Sequence, residues 1–201
     1  MPYDFYKPPQ SDLLLLDAEP DFYIVSARKF LILAVSTLGI YYLYWFYQHW
    51  KHQKIKRSEK IWPLPRAIFT VFFTHSLFSR IQHNLKIQQQ PFVWAPSFLA
   101  TVYVFFSVTG SLADRLSGRM EMPMIMMLYG FLTLIPTTYA TYKAQQAANL
   151  ACEDAHGSHN DRITPVNMVW ISLGMILWAL SLLGLYIQLF GLPSLLLPNH
   201  A

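Results

Sequence analysis

The stretch Gly39–Trp50, GIYYLYWFYQHW, places seven aromatic residues among the ten from Tyr41 to Trp50, and Lys51, Lys54, Lys56 and Arg57 follow at once. On a helix successive side chains are turned by about 100°, so these rings point all round the axis. A ligand cage needs rings on one face. An interfacial belt needs them at one depth, where the apolar ring meets hydrocarbon and the hydroxyl or N–H stays wet. The stretch therefore predicts the cytoplasmic-side end of a membrane span over 30–50. Tyr41, Tyr44, Trp45, Tyr47 and Trp50 are its ring anchors, and Lys51, Lys54 and Arg57 form its charged edge.

The composition agrees with a bilayer setting. The 201 residues are 54% hydrophobic and only 13% charged, against about 25% charged in soluble domains. A domain of this size has too little interior to hide so much apolar side chain. With one cysteine, Cys152, no intrachain disulfide can form. Residues 1–29 read as a polar, Pro-containing tail without the basic-then-apolar order of a cleavable signal peptide, and no lipidation signature is evident. The first apolar segment is then expected to serve as an uncleaved insertion signal.

The predicted fold is all-α: a polytopic helical membrane protein with four transmembrane helices plus a re-entrant or interfacial helix. The spans are about 30–50, 95–113, 123–142 and 168–190, each near the ~20 apolar residues a crossing needs. Residues 63–83 hold too short an uncharged core to cross and supply the extra helix. Residues 191–201 form a short C-terminal tail. Eight of the fifteen Lys and Arg residues lie between the first and second spans. The positive-inside rule puts that loop in the cytoplasm, with both termini outside; Arg28 and Lys29 run against this orientation. Ser107-x3-Ser111 and Thr133-x3-Thr137 are small-residue packing pairs, and Pro136 predicts a kink.

The pattern Thr37-x-Gly39-x-Tyr41-x-x-Tyr44-Trp45-Phe46-Tyr47, preceded by Ser26-x-Arg28-Lys29-Phe30, resembles small bacterial membrane proteins grouped as a domain of unknown function. The start PYDFYKPPQSDL is similar to theirs, and the resemblance covers residues 1–85. It implies the bacterial inner (cytoplasmic) membrane and carries over no catalytic residue.

Candidate chemistry is sparse. Cys152, Glu153, Asp154, His156, His159 and Asp161 are all metal-ligand types, but Cys-x3-His-x2-His lacks the second pair of ligands a structural zinc site uses, so no metal is expected. His75 lies within the ambiguous segment, with Arg80 and His83 beyond it. Asp114 and Arg115 end the second span, and Arg119 and Glu121 precede the third. Haem at His75 would need a second histidine at matching depth, and no cofactor is expected. Nucleotide and hydrolase motifs are missing, and the juxtamembrane cations suit anionic lipid rather than nucleic acid. The leading expectation is a non-catalytic envelope scaffold or accessory protein that contacts membrane lipids, a membrane-protein partner or a second copy. One alternative is a small transporter or channel subunit using His75, Arg80 and Thr137/Thr138. The other is a membrane enzyme acting on lipid headgroups through His75, Arg80 and His83.

Overall fold

The computed structural model describes residues 20–58, 60–117 and 123–191, and among these the chain is helical without strands. The helices are α1 (Ala27–Ser36), α2 (Tyr41–Arg57), α3 (Pro63–Ile68), α4 (Thr70–Ile87), α5 (Pro96–Ser117), α6 (Pro123–Ala151) and α7 (Pro165–Phe190), with a 3-10 turn at Ser158–Asn160. Three are long and apolar enough to cross a membrane: α5 over Pro96–Leu116, α6 over Met124–Ala151 and α7.

The expected first span is not a single helix. Thr37 caps α1, with its hydroxyl donating to Leu33 O (2.7 Å) and accepting from Tyr41 N (3.0 Å). Leu38 N bonds Val35 O and Gly39 N bonds Ala34 O, the paired closure of a Schellman motif. Leu38 (φ 51°) and Gly39 (φ 83°) are both left-handed, and the chain turns back on itself. The ring of Phe30 consequently lies 5.9 Å from Tyr41 and 6.1 Å from Trp45. On one continuous helix those residues would stand about 16 and 22 Å along the axis from it. Residues 30–50 thus form a hairpin whose first arm, ten residues, spans only about 15 Å.

The other expectations shift less. The helix expected over 95–113 is α5. The helix expected to stop at 142 continues to Ala151, because Ala140, Ala144, Ala147, Ala148 and Ala151 bury a smooth face against which other backbone can lie closely. The last helix begins at Pro165, where Thr164 and Asn167 form a reciprocal capping box. Residues 63–83 break at Phe69 between α3 and α4, and neither piece is among the three spanning candidates. α6 runs through Pro136 as one helix. The Thr133 hydroxyl bonds Gly130 O, and Thr137 bonds Thr133 O. Of the serine pair, Ser111 is exposed and bonds back to Ser107 O; the close approach to Thr133 is made by Gly110.

α5 and α6 pair antiparallel, with Tyr129 Oη donating to Thr109 Oγ1 at 2.9 Å. α7 leans on the C-terminal end of α1, where Trp178 Nε1 donates to Val35 O (2.9 Å), and on α6, where Phe131 stacks on Trp178 at 5.4 Å. The remaining circumference of α7 is exposed apolar side chain. The bundle has two unlike ends. At the proximal end, the C-terminus of α2, residues 20–26 and the connection 152–164 meet. The distal end holds the C-terminus of α5 and the start of α6.

Candidate functional site

Residues 20–25 cross the proximal end without regular secondary structure, bending at Asp21 and Phe22, and every carbonyl of this segment is claimed by a different side chain. His52 Nδ1 donates to Pro20 O (3.2 Å) and Gln53 Nε2 to Asp21 O (2.8 Å). Cys152 Sγ donates to Phe22 O (3.7 Å) and Gln145 Nε2 to Tyr23 O (3.0 Å). Asn160 Nδ2 donates to Ile24 O and Asn149 Nδ2 to Val25 O, both at 2.9 Å. Asn149 Oδ1 also accepts from Val25 N (3.3 Å) and from Gln145 Nε2 (2.6 Å). Buried backbone groups require partners; here amides on α2, α6 and the 152–164 connection do the work of a neighbouring strand.

The core beneath this segment is aromatic. Gln145 Oε1 accepts from Trp45 Nε1 and lies 3.3 Å from His49 Nε2. His49 is fully buried between Trp45, Phe22 and Tyr23. Burial, with a smaller push from His52, lowers its pKa to about 3. The folded chain then keeps His49 neutral down to about pH 3, whereas the unfolded chain takes up the proton near 6.5. Between those values the unfolded state holds the extra proton, so stability falls as pH falls, by up to ~1.4 kcal/mol per pH unit. Thermal midpoints of the purified protein should decline from pH 6.5 toward pH 4, and His49→Gln should flatten that decline. An unchanged slope in the variant would refute the assignment.

Tyr23 opens onto a cavity of about 620 Å³ between the α1–α2 hairpin and the start of α7. Its polar end holds Lys29, Tyr41, Tyr44 and Asn160 beside Tyr23. Its walls are Leu33, Leu43, Leu64, Val166 and Trp170. Lys29 is only 3% exposed. Its ammonium donates to Asn160 Oδ1 (2.6 Å) and Arg162 O (2.8 Å), both neutral acceptors. Burial pushes its pKa down, and Asp161 opposes this only from a distance, its own carboxylate being bonded to Ser26 Oγ at 2.6 Å. The Tyr41 hydroxyl is buried beside that of Tyr23. Tyr23, whose hydroxyl accepts from Asn160 Nδ2 at 3.0 Å, is pushed up to about 12 by burial and by Tyr44.

The expected anchors divide. Trp45 and Trp50 are 0% exposed and Tyr41 is 7% exposed, so these rings are core rather than belt. Tyr44 is exposed and Tyr47 half-buried. Lys51, Lys54 and Arg57 are exposed, Arg57 donating to Asn84 Oδ1 at 3.1 Å. Trp50 is covered by cations: the Arg66 guanidinium lies 4.4 Å from its ring centre and that of Arg80 5.6 Å, the favourable geometry of cation–π contact.

The polar candidates on α4 do not converge. His75 is exposed with Nε2 3.1 Å from Thr101 Oγ1 on α5, whereas Arg80 turns toward α2 and donates to Gln53 Oε1 at 3.3 Å. His83 is exposed. Thr138 is engaged by the Tyr42 hydroxyl at 2.6 Å, and none of these residues lines the cavity. Asp114 lies against Gly130 and Arg115 is exposed, both at the distal end; Arg119 and Glu121 are outside the described residues. In the 152–161 loop, Asp154 is a structural cap. Desolvation opposes its charge, but the N–H groups of His159 and Ser158 and the His159 ring hold it at about 2. The Cys152 thiol is pushed up to about 12 by burial. Among the described residues no three metal-binding side chains come together.

Sequence reading took Lys29 only as a charge bearing on orientation and passed over Tyr23, Gln145, Asn149 and Asn160. The available signal was the amide pair Gln145-x3-Asn149 in an alanine-rich helix end, and a lysine behind the N-cap Ser26. No protein-family model, curated protein or solved structure matches the chain. Its class rests on the fold: a helical protein with three helices able to cross a membrane.

Proposed function

We propose that the chain is a three-span protein of the bacterial inner membrane, a non-catalytic scaffold or accessory protein that grips the anionic cytoplasmic leaflet with its proximal end. The observation that carries this reading is the distribution of cations along the bundle. Arg28, Lys29, Lys51, Lys54, Lys56, Arg57, Lys60, Arg66, Arg80, Lys86, Lys143 and Arg162 belong to the elements of the proximal half, and Arg115 lies at the distal end. Once residues 30–50 fold back, Arg28 and Lys29 join the same side as the α2–α4 cations, and the charge conflict of the four-span reading disappears. Juxtamembrane cations attract anionic lipid by ~1 kcal/mol each. In this reading the α1–α2 hairpin dips into the membrane and returns, α3 and α4 lie at the interface with Trp62, Phe69 and Phe72 exposed, and bare α7 faces lipid. The bacterial assignment draws on the Thr37-to-Tyr47 motif.

Three spans put the two chain ends on opposite sides of the membrane; four put them on the same side. A fluorescent protein joined ahead of Met1 should fluoresce in the cytoplasm, and alkaline phosphatase joined after Gly191 should be active. Inactive phosphatase in a well-expressed fusion would refute the arrangement.

A further inference from the structure

We propose that the cavity between the α1–α2 hairpin and the start of α7 is a binding site for one membrane lipid with a phosphate-bearing, anionic headgroup. This inference rests on the membrane location proposed above but not on which way the bundle faces.

Three observations point to it. First, the Lys29 side chain is covered while its ammonium is part-buried, its direct partners, Asn160 Oδ1 and Arg162 O, are neutral, and the Asp161 carboxylate acts on it only through space. Buried charges are ordinarily paired, because the desolvation cost otherwise goes uncompensated. An ammonium has three donors and two are used, so one remains for a ligand oxygen. Second, the Tyr41 hydroxyl lines the same cavity and is more than nine-tenths buried, beside the Tyr23 hydroxyl. A phosphate oxygen held by Lys29 is a stronger acceptor for it than that neutral phenol. Third, the N-termini of α1 and α7 both border the cavity, through Lys29 on one and Val166 and Asn167 on the other. Their dipoles add positive potential at the polar end.

The remainder of the cavity selects a chain. Its volume of about 620 Å³ falls within the ~300–1,000 Å³ of typical ligand sites. Away from that polar end its surface is mostly apolar, with Thr37, Thr164 and Asn167 the polar side chains among the aliphatic and aromatic ones. Leu43, Leu64, Val166 and Trp170 are each about half exposed or more, so the mouth runs out onto the apolar surface of α7. An acyl chain can enter sideways from hydrocarbon while its headgroup stays at the level of Lys29. Charge complementarity and the apolar mouth together specify an anionic amphiphile rather than a free anion or a neutral lipid.

The test uses the full-length protein, delipidated in detergent and mixed with equal amounts of phosphatidylglycerol and phosphatidylcholine bearing the same chains. Native mass spectrometry reads the bound lipid. Wild type should retain phosphatidylglycerol about tenfold over phosphatidylcholine, the size of one charge-assisted hydrogen bond. Lys29→Gln should bring the ratio close to one, and Tyr41→Phe should lower it. Leu43→Trp, at a half-exposed wall position, should reduce retention of both lipids whether or not the Lys29 variant folds. Inorganic phosphate alone should leave the thermal midpoint unchanged. Equal retention of the two lipids by wild type, undiminished retention in Leu43→Trp, or a phosphate shift as large as that of phosphatidylglycerol would each overturn the proposal. So would a dimer that excludes lipid, which would place a second copy in the groove. The fusion experiment reads a separate property, so the two readings fail independently.

Discussion

A Gly174→Ala variant is expected to melt roughly 5–10 °C below wild type, with a reduced yield of folded protein. A Cβ at Gly174 would lie 2.2 Å from Ser36 O and 2.8 Å from both Ser36 C and Thr37 Cα. These are backbone atoms at the end of α1, where the Schellman turn leaves little freedom to yield. Trp178 Nε1, one turn further along α7, donates to Val35 O, so pushing the helices apart also breaks that bond. Overpacking of this kind costs ~1–3 kcal/mol, and in a chain of this size each kcal/mol moves the midpoint by ~2–4 °C. Alanine should otherwise favour a helix over glycine by up to ~1 kcal/mol, so a loss isolates the contact. Gly184→Ala is the control, since its Cβ would meet only Met127 Cε at 3.8 Å; it should match or exceed wild type. Equal behaviour of the two variants in thermal unfolding would show that α7 does not dock on α1 at Gly174.

Asn149→Leu should be at least as damaging. The side chain keeps its bulk, but Val25 N, Val25 O and Gln145 Nε2 all lose a partner at a site from which water is excluded. Each stranded buried group costs ~1–3 kcal/mol, so a loss of about 3–5 kcal/mol is expected. Limited proteolysis near residues 20–26 should become faster than in wild type, because this amide is one of the ties on that segment. Gln146→Ala, removing a half-buried neighbour bonded to the Tyr142 hydroxyl at 3.0 Å, should leave both readouts close to wild type. Asn149→Leu with wild-type stability and cleavage would disprove the clamp.

The aromatic run shows how far the sequence could be read. Its rings do point all round α2, as helical geometry requires. What distributes them between surface and core is the neighbour on each side, and that neighbour is set by the turn at residues 37–40. Threonine and glycine are ordinary inside membrane helices, so Thr37 and Gly39 did not announce a break within a continuous apolar run. Trp45 is buried under Phe30 of α1 and Gln145 of α6, and Phe46 under Tyr103 of α5. Tyr44, a step away on the helix, remains exposed. The cavity was harder still to foresee. Lys29 and Asn160 are 131 residues apart, and no local pattern links a lysine near one helix start with an asparagine in a distant loop.

By itself, the sequence determined the class of the protein. Its high apolar content and scarcity of charge point to a bilayer, and three apolar runs become α5, α6 and α7, each long and apolar enough to cross one. The crowding of cations between residues 51 and 86 also marked one end of the molecule, because charge and hydropathy are properties of segments that survive without knowledge of contacts. Tertiary structure alone decided that residues 30–50 double back, that the α6 helix carries its amides past residue 142, and that Lys29 is buried facing a cavity. Those outcomes depend on which surfaces meet. A two-residue left-handed turn reverses a helix, an alanine face admits a non-helical segment, and an ammonium held by two neutral acceptors comes to border a cavity.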